Sequence, residues 1–265
     1  MAAGPGAAPV RGPSPPGAPG CFAIDRGQTG RVPDSDLISG FVADIAALQA
    51  TSPSETRPAR AAAATAEALL VRWREPQRAY HDVTHLTEML SAIAALTAGS
   101  GRAASLPNLV AWYHDAIYRP GRTDNEAASA ALARSELAAL ALPAQAVEQI
   151  AALIEQTADH LLPEPGSAGA VVHDADLWIL AAPGRRFDAY CAQVRREYAA
   201  VADTAYAHGR SAILRPLLDR PRLYANPPAG AGWEERARVN LRRELERLTA
   251  AGEDGLGAGE PPRAG

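Results

Sequence analysis

The sequence predicts an all-α fold. Apolar residues recur every three or four positions through the central part of the chain, which is the period of an amphipathic helix. No alternating apolar and polar run of useful length is present, so no strand is predicted. The predicted helices differ too much from one another to form a repeat array. We therefore expect a single helical domain.

The first predicted helices follow directly from this period. Residues 37–48 place Leu37, Phe41, Ile45 and Leu48 on one face, and residues 60–73 are rich in alanine and end on Trp73. The next predicted helix covers 85–96, where the apolar stripe is formed by Leu86, Met89, Leu90, Ile93 and Leu96. The short apolar run 109–118 is predicted to be a helix that ends before Pro120 and Gly121.

The second half of the domain continues the pattern. The helix predicted over 123–140 opens on a capping-box pattern, with Thr123 followed three residues later by Glu126. Further helices are predicted over residues 143–158, 171–181, 187–208 and 233–248.

The two ends of the chain differ in composition from its centre. Residues 1–35 and 250–265 are dominated by Gly, Pro and Ala and carry few large apolar side chains. Such segments bury too little apolar surface to offset the entropy lost on ordering. We expect two disordered tails around a helical domain over residues 36–249.

Charge and composition exclude several classes of protein. The formal net charge is −4, and without a basic excess no stable nucleic-acid binding is expected. All 26 basic residues are arginine. No apolar run reaches the ~18 residues of a membrane helix, and no signal peptide is recognisable. Cys21 and Cys191 form no CxxC pair. We expect a cytoplasmic protein, and apolar faces on the terminal helices would allow a homodimer.

Five of the six histidines lie near predicted helix ends or beside carboxylates, and this clustering is the main functional signal. The six are His81, His85, His114, His160, His173 and His208. Imidazole and carboxylate together form a site suited to zinc, iron, manganese or cobalt. Magnesium completes the range of divalent ions expected here.

The adjacent pair His114-Asp115 stands inside an otherwise apolar run. Neighbouring helical residues point about 100° apart, so both side chains reach one ion only near a helix end. Tyr118, Pro120 and Gly121 end the helix just beyond, which permits that geometry. A packed histidine with an aspartate partner is the alternative, and this dipeptide alone favours it. His85 upstream and Asp176 downstream favour the metal site instead.

In this order, His85, His114-Asp115 and Asp176 resemble the HD superfamily of metal-dependent phosphohydrolases, and more narrowly the bacterial group described only as predicted metal-dependent HD phosphohydrolases. The likeness spans roughly residues 72–248 and is carried by residues 78–85, 112–118, 124–126, 174–177 and 196–198, with 208–210 and Asn240. The resemblance implies an all-helical fold with a mono- or dinuclear divalent-metal site that hydrolyses phosphoester bonds.

The resemblance also implies a ligand set. His85, His114, Asp115 and Asp176 would hold the ion, and Asp115 would bridge if two ions bind. His160 is the candidate ligand of a second ion, with a helix-end histidine interacting with the helix dipole as the alternative. The chain departs from many relatives because it has no paired histidine motif between Asp115 and Asp176, which favours one ion.

Other residues are candidates for substrate chemistry. We expect His81 to act beside the metal or on the substrate rather than as a ligand. Arg119, Arg122 and Arg210 are candidates for holding the phosphate of a small phosphorylated substrate, since guanidinium matches phosphate in bidentate geometry. Glu126 would be a general acid or base, although its place in the capping box explains it without catalysis.

Two alternatives remain open at this point. Residues 81–85 (HDVTH) resemble the HExxH motif of zinc peptidases, with Asp82 in place of the glutamate. A non-catalytic HD-fold module that binds a nucleotide or a metal and signals by conformation is the other alternative, because fold does not settle function.

Overall fold

The computed structural model describes residues 32–49, 58–99, 101, 103–227 and 232–257, and this part of the chain contains helices and no strands. The ten helices are α1 (Asp34–Gln49), α2 (Pro58–Trp73), α3 (Val83–Thr97), α4 (Ser105–Tyr113), α5 (Asn125–Ala139), α6 (Ala144–Gln156), α7 (Ala168–Asp176), α8 (Gly184–Glu197), α9 (Asp203–Asp219) and α10 (Trp233–Gly257). A 3₁₀ turn, Leu177–Ala181, links α7 to α8. The all-α prediction is confirmed.

Local chemistry explains where several helices begin. Pro58 starts α2, a position where the missing N–H costs no hydrogen bond. Asp82 caps α3, since its carboxylate accepts a 2.7 Å hydrogen bond from the Thr84 N–H. Ser167 caps α7 by accepting from the Ala170 N–H at 3.0 Å.

Helices α3, α4 and α7 pack against one another at the centre of the domain. α4 packs against α1, α6 and α7, and α3 packs against both α4 and α7. Phe41 meets Trp112 edge to face at 5.2 Å between ring centroids, and both rings are buried. Trp73 donates its indole N–H to the Trp112 carbonyl at 3.0 Å, which ties α2 to α4. None of the described helices combines the length and apolarity needed to cross a membrane.

One long predicted helix is two helices. The prediction over 187–208 is wrong because α8 ends at Glu197 and α9 begins at Asp203 and continues to Asp219. Arg195 donates to the carbonyls of Tyr198 (2.7 Å) and Val201 (2.9 Å), so the backbone between the helices finds a side-chain partner instead of continuing the helical ladder. The alanine-rich linker carries no Gly or Pro to mark the break.

Two boundaries also differ from prediction. α1 begins at Asp34, inside the predicted N-terminal tail, and α10 runs to Gly257, eight residues past the predicted end of the domain at 249. Residues 1–31 and 258–265 of the predicted tails lie outside the described residues. Cys191 is buried with a free thiol, and Cys21 lies outside the described residues.

The capping box predicted at Thr123 is wrong. α5 begins at Asn125, and its N-cap residue Asp124 makes no capping hydrogen bond. The reason is that Arg122 takes both carboxylate oxygens of Asp124 in a bidentate pair, each at 2.7 Å. Glu126 is therefore not held by a capping role.

Candidate metal centre

The pair His114-Asp115 lies where α4 ends. Tyr113 is the last helical residue and His114 is the C-cap, so the side chains of the pair leave the helix at its terminus. This is the helix-end geometry that lets adjacent residues turn towards one point. The helix ends five residues earlier than predicted, and the short turn after it is shaped by side chains of other elements.

No role is predicted from the sequence for three of those side chains. Asn125 holds the backbone of Arg119 at both its N–H (3.1 Å) and its carbonyl (3.0 Å). Ser129, one turn further along α5, accepts from the Ile117 N–H at 3.0 Å. The buried Arg78 guanidinium donates to the carbonyls of Asp115 (2.8 Å) and Ala116 (3.1 Å). Together they fix the direction in which Asp115 points.

His85 and Asp176 approach the same point from other helices. His85 lies in the first turn of α3, and Asp176 is the last residue of α7. The Nε2 atoms of His85 and His114 are 3.1 Å apart, and Asp176 Oδ1 lies 3.3 Å from the first and 3.7 Å from the second. The ligand atoms of these three residues all lie within 4.8 Å of one another.

Asp115 adds a fourth side to this cluster. Its Oδ2 lies 3.1 Å from His114 Nε2 and 3.8 Å from His85 Nε2. Ligand bonds of 2.0–2.2 Å place neighbouring donors about 3.0–3.6 Å apart around one ion. Most of the observed separations match that spacing, so His85, His114 and Asp176 could hold a metal ion with Asp115 beside it.

The Nδ1 atom of each imidazole in the cluster has a hydrogen-bond partner that orients the ring. His114 Nδ1 lies 2.9 Å from the Ala111 carbonyl, which only accepts, so His114 carries its proton on Nδ1 in the neutral state. His85 Nδ1 lies 3.0 Å from the Tyr80 hydroxyl. The Ala111 carbonyl fixes the neutral tautomer of His114 and leaves its Nε2 lone pair facing the cluster. The Tyr80 hydroxyl both donates and accepts, so it orients the His85 ring without fixing its tautomer. Two Nε2 atoms that face each other at 3.1 Å need a proton or a cation between them.

Burial and neighbouring charges have opposite effects on the pKa values of the cluster. Burial opposes the imidazolium form, yet the Asp115 carboxylate outweighs it and raises the pKa of His114 to about 9. Burial likewise opposes ionisation of Asp115 and Asp176, but the histidines hold the pKa of both carboxyls well below their usual range. The two carboxylates are therefore ionised and attract a cation.

His81 is separated from this cluster and held by a second carboxylate. It precedes α3, so it does not share a helical face with His85. Its Nδ1 lies 2.7 Å from Glu197 Oε2, and its ring stacks on Tyr118 with centroids 4.1 Å apart. Because Asp82 caps α3 and His81 is bound to Glu197, the geometry of residues 81–85 differs from the helical HExxH arrangement and weighs against a zinc peptidase.

Glu197 binds several groups around His81. Its buried carboxylate accepts from the backbone N–H groups of Ala79 (2.7 Å), Tyr80 (2.8 Å) and His81 (3.0 Å), and from the Tyr118 hydroxyl (3.0 Å). Burial opposes the charge, but the hydrogen bond and charge of His81 lower the pKa of Glu197 to about 2. No sequence motif gave this residue a role.

His160 lies at the edge of the cluster. Its backbone adopts the left-handed region, with φ of 46°, which is uncommon outside glycine. Its Nδ1 lies 3.7 Å from Asp176 Oδ2, and its side chain is 35% exposed. The residue is four positions beyond the end of α6, which weighs against the alternative of a helix-end histidine that interacts with the helix dipole.

The cluster opens into a cavity of about 580 Å³, within the range of small-molecule sites. His81, His160 and Glu126 line it together with the metal-competent residues. Of the three arginines predicted to hold phosphate, Arg122 and Arg210 line this cavity. The exposed Arg119 is not among the lining residues.

Comparison of the chain with models of protein families, with curated proteins and with solved structures finds no match in any of the three.

Proposed function

We propose that this protein is a divalent-metal-dependent phosphohydrolase acting on a small phosphorylated metabolite. The observation that carries the proposal is the convergence of two oriented imidazoles and two ionised carboxylates at the end of a metabolite-sized cavity. A metal-binding group alone has many uses, but here it is accessible from a cavity rather than enclosed in the core. The sequence resemblance to HD phosphohydrolases points to the same chemistry.

His85, His114, Asp115 and Asp176 would hold the ion. A divalent ion there would supply Lewis acidity and lower the pKa of a coordinated water towards neutrality. The chain contributes two imidazole rings that Tyr80 and Ala111 already orient, so ion binding would require loss of the His114 Nε2 proton but little movement of the rings. If a second ion binds, Asp115 and His160 would help to hold it.

His81 is placed to serve the leaving group. Glu197 occupies its Nδ1, which leaves Nε2 for a substrate oxygen in the cavity. A histidine held by a carboxylate and oriented in this way can donate a proton to the departing alkoxide. Arg122 lies at the cavity wall and would neutralise phosphate charge once its pair with Asp124 opens. Glu126 lines the same cavity, and a catalytic role for it is a lesser part of the proposal.

Metal analysis combined with a substrate panel tests the proposal. The purified chain would be loaded separately with Mn²⁺, Mg²⁺, Fe²⁺, Co²⁺ and Zn²⁺ and incubated with nucleotides, cyclic nucleotides, pyrophosphate, sugar phosphates and aryl phosphates. We expect metal-dependent phosphate release that Asp176→Ala abolishes. Asp159→Ala is the matched control, because Asp159 is exposed and lies outside the cluster. Silence across all metals and substrates, with metal bound, would favour a non-catalytic binding module.

A further inference from the structure

One wall of the cavity is apolar. It is formed by α8, α9 and the 3₁₀ turn, which contribute Val194, Leu214, Leu217 and Leu180. These side chains offer no hydrogen bonds to the hydroxyl groups of a sugar. An apolar part of a ligand would lose its contact with water against this wall. The cavity is therefore polar at the metal cluster and apolar along α8 and α9.

Arg210 interrupts this apolar wall. It lies on α9 and lines the cavity, and its hydrogen bond goes to the Tyr190 hydroxyl. Its guanidinium also lies over the Tyr190 ring, 5.2 Å from the centroid. Within the described residues Arg210 forms no ion pair with a carboxylate. By contrast, Arg186 is paired with Glu88 through two hydrogen bonds, at 2.5 and 2.7 Å.

A buried hydroxyl without a hydrogen-bond partner among the described residues lies one helical turn from Arg210. The hydroxyl of Tyr206 is buried and has no hydrogen-bond partner in the described part of the chain. Tyr206 also lines the cavity, and residues four apart on a helix share a face, so it lies beside Arg210. The Arg210 guanidinium has a neutral hydroxyl but no carboxylate to balance its charge, and the Tyr206 hydroxyl has no hydrogen-bond partner among the described residues, so both are donors suited to an oxyanion.

We propose that Arg210 and Tyr206 bind a second oxyanion of the substrate. The substrate is then an amphipathic phosphoester whose phosphate lies at the metal cluster, whose body is mainly apolar, and whose other end carries a carboxylate or a second phosphate. The phosphoester part rests on the proposed function, whereas the oxyanion subsite does not. Plain sugar phosphates fit poorly, because their hydroxyl groups would be left unpaired against the apolar wall.

The test uses the metal-free full-length chain and two probes that share one apolar body, 6-phenylhexanoate and 6-phenylhexanol. Isothermal titration calorimetry would give the dissociation constant of each. We expect the carboxylate to bind about tenfold more tightly than the alcohol, as a charge-assisted hydrogen bond provides. Arg210→Met, which keeps the aliphatic length, should remove that preference. Tyr206→Phe should weaken carboxylate binding by a smaller factor.

Arg215→Met is the matched control, because Arg215 is exposed on the same helix and does not line the cavity; it should keep the preference. Equal binding of both probes to the wild type, a preference that survives Arg210→Met, unchanged affinity in Tyr206→Phe, or no binding of either probe at millimolar concentrations would each overturn the proposal. 6-Phenylhexyl phosphate as a third probe distinguishes a phosphate-preferring subsite. Failure of metal binding would leave these results unaffected.

Discussion

Of the three His-Asp dipeptides in the chain, one lies at the end of a helix and another inside a helix, and these two have different chemistry. His114-Asp115 leaves the end of α4 and faces other titratable side chains. His173-Asp174 lies inside α7 and faces backbone: His173 Nε2 donates to the Leu223 carbonyl at 3.0 Å, and Asp174 accepts from the N–H groups of Ala225 (2.7 Å) and Asn226 (2.6 Å).

The direction of the pKa shifts separates the two pairs. In the first, mutual attraction overcomes burial, so the pKa of His114 rises and that of Asp115 falls. In the second, burial dominates, so the pKa of His173 falls and that of Asp174 rises to about 6. A charged pair at a cavity can bind a cation. The second pair instead holds the backbone of residues 223–226, which precedes α10, by hydrogen bonds. The difference comes from what surrounds each dipeptide.

The largest difference between the two pairs is expected when the Asp115 carboxylate of the first pair is removed. Asp115→Ala should lose bound metal and lower the hydrolysis rate by roughly 10³-fold, because the ion loses a ligand and His114 loses its partner. Metal stoichiometry by mass spectrometry, with far-ultraviolet circular dichroism to confirm that the helices persist, measures this. If the variant retains a full complement of metal, the pair is structural, like its counterpart in α7.

A smaller loss of rate is expected at Glu197, which serves the cavity without belonging to the cluster. In Glu197→Gln one oxygen still accepts from the backbone of residues 79–81, while the amide presents a donor to His81 Nδ1. His81 must then change tautomer, and we expect kcat to fall about 100-fold with metal retained. A variant that loses metal instead would place Glu197 in the metal site.

The same substitution in the second pair should affect stability and leave the metal in place. Asp174→Ala leaves the N–H groups of Ala225 and Asn226 without their acceptor, and we expect the free energy of unfolding in urea to fall by about 2–4 kcal/mol. Asp174→Asn keeps one acceptor oxygen and should lose less. Loss of metal at unchanged stability would show that the two dipeptides are not distinct in role.

The sequence predicts much of the fold and the central ligands for a physical reason. Helical period is a local property that predicts most of the helices, and His85, His114 and Asp176 stand out as metal-competent side chains in apolar helical runs. Their places at helix ends were predicted less well, because α4 and α7 each end five residues before the predicted ends at 118 and 181. The roles of Glu197 and Arg78 depend on partners far along the chain, which no local pattern specifies. The break between α8 and α9 was missed for the same reason, since Arg195 and Glu197 determine it through contacts rather than through Gly or Pro.

The dependence of metal affinity on pH sharpens the comparison further. An ion that binds His114 Nε2 must displace the proton that the pKa of about 9 keeps there at neutral pH. The apparent dissociation constant should therefore fall about tenfold for each unit of pH between 7 and 9, and level off above 9, since one proton is released per ion. Competition with a chelating dye at each pH measures this dissociation constant.

His173→Gln is the control: burial already keeps His173 neutral, so the slope should stay the same. A slope near zero in the wild type would mean that the ion does not bind through His114, and the two dipeptides would then differ in packing alone.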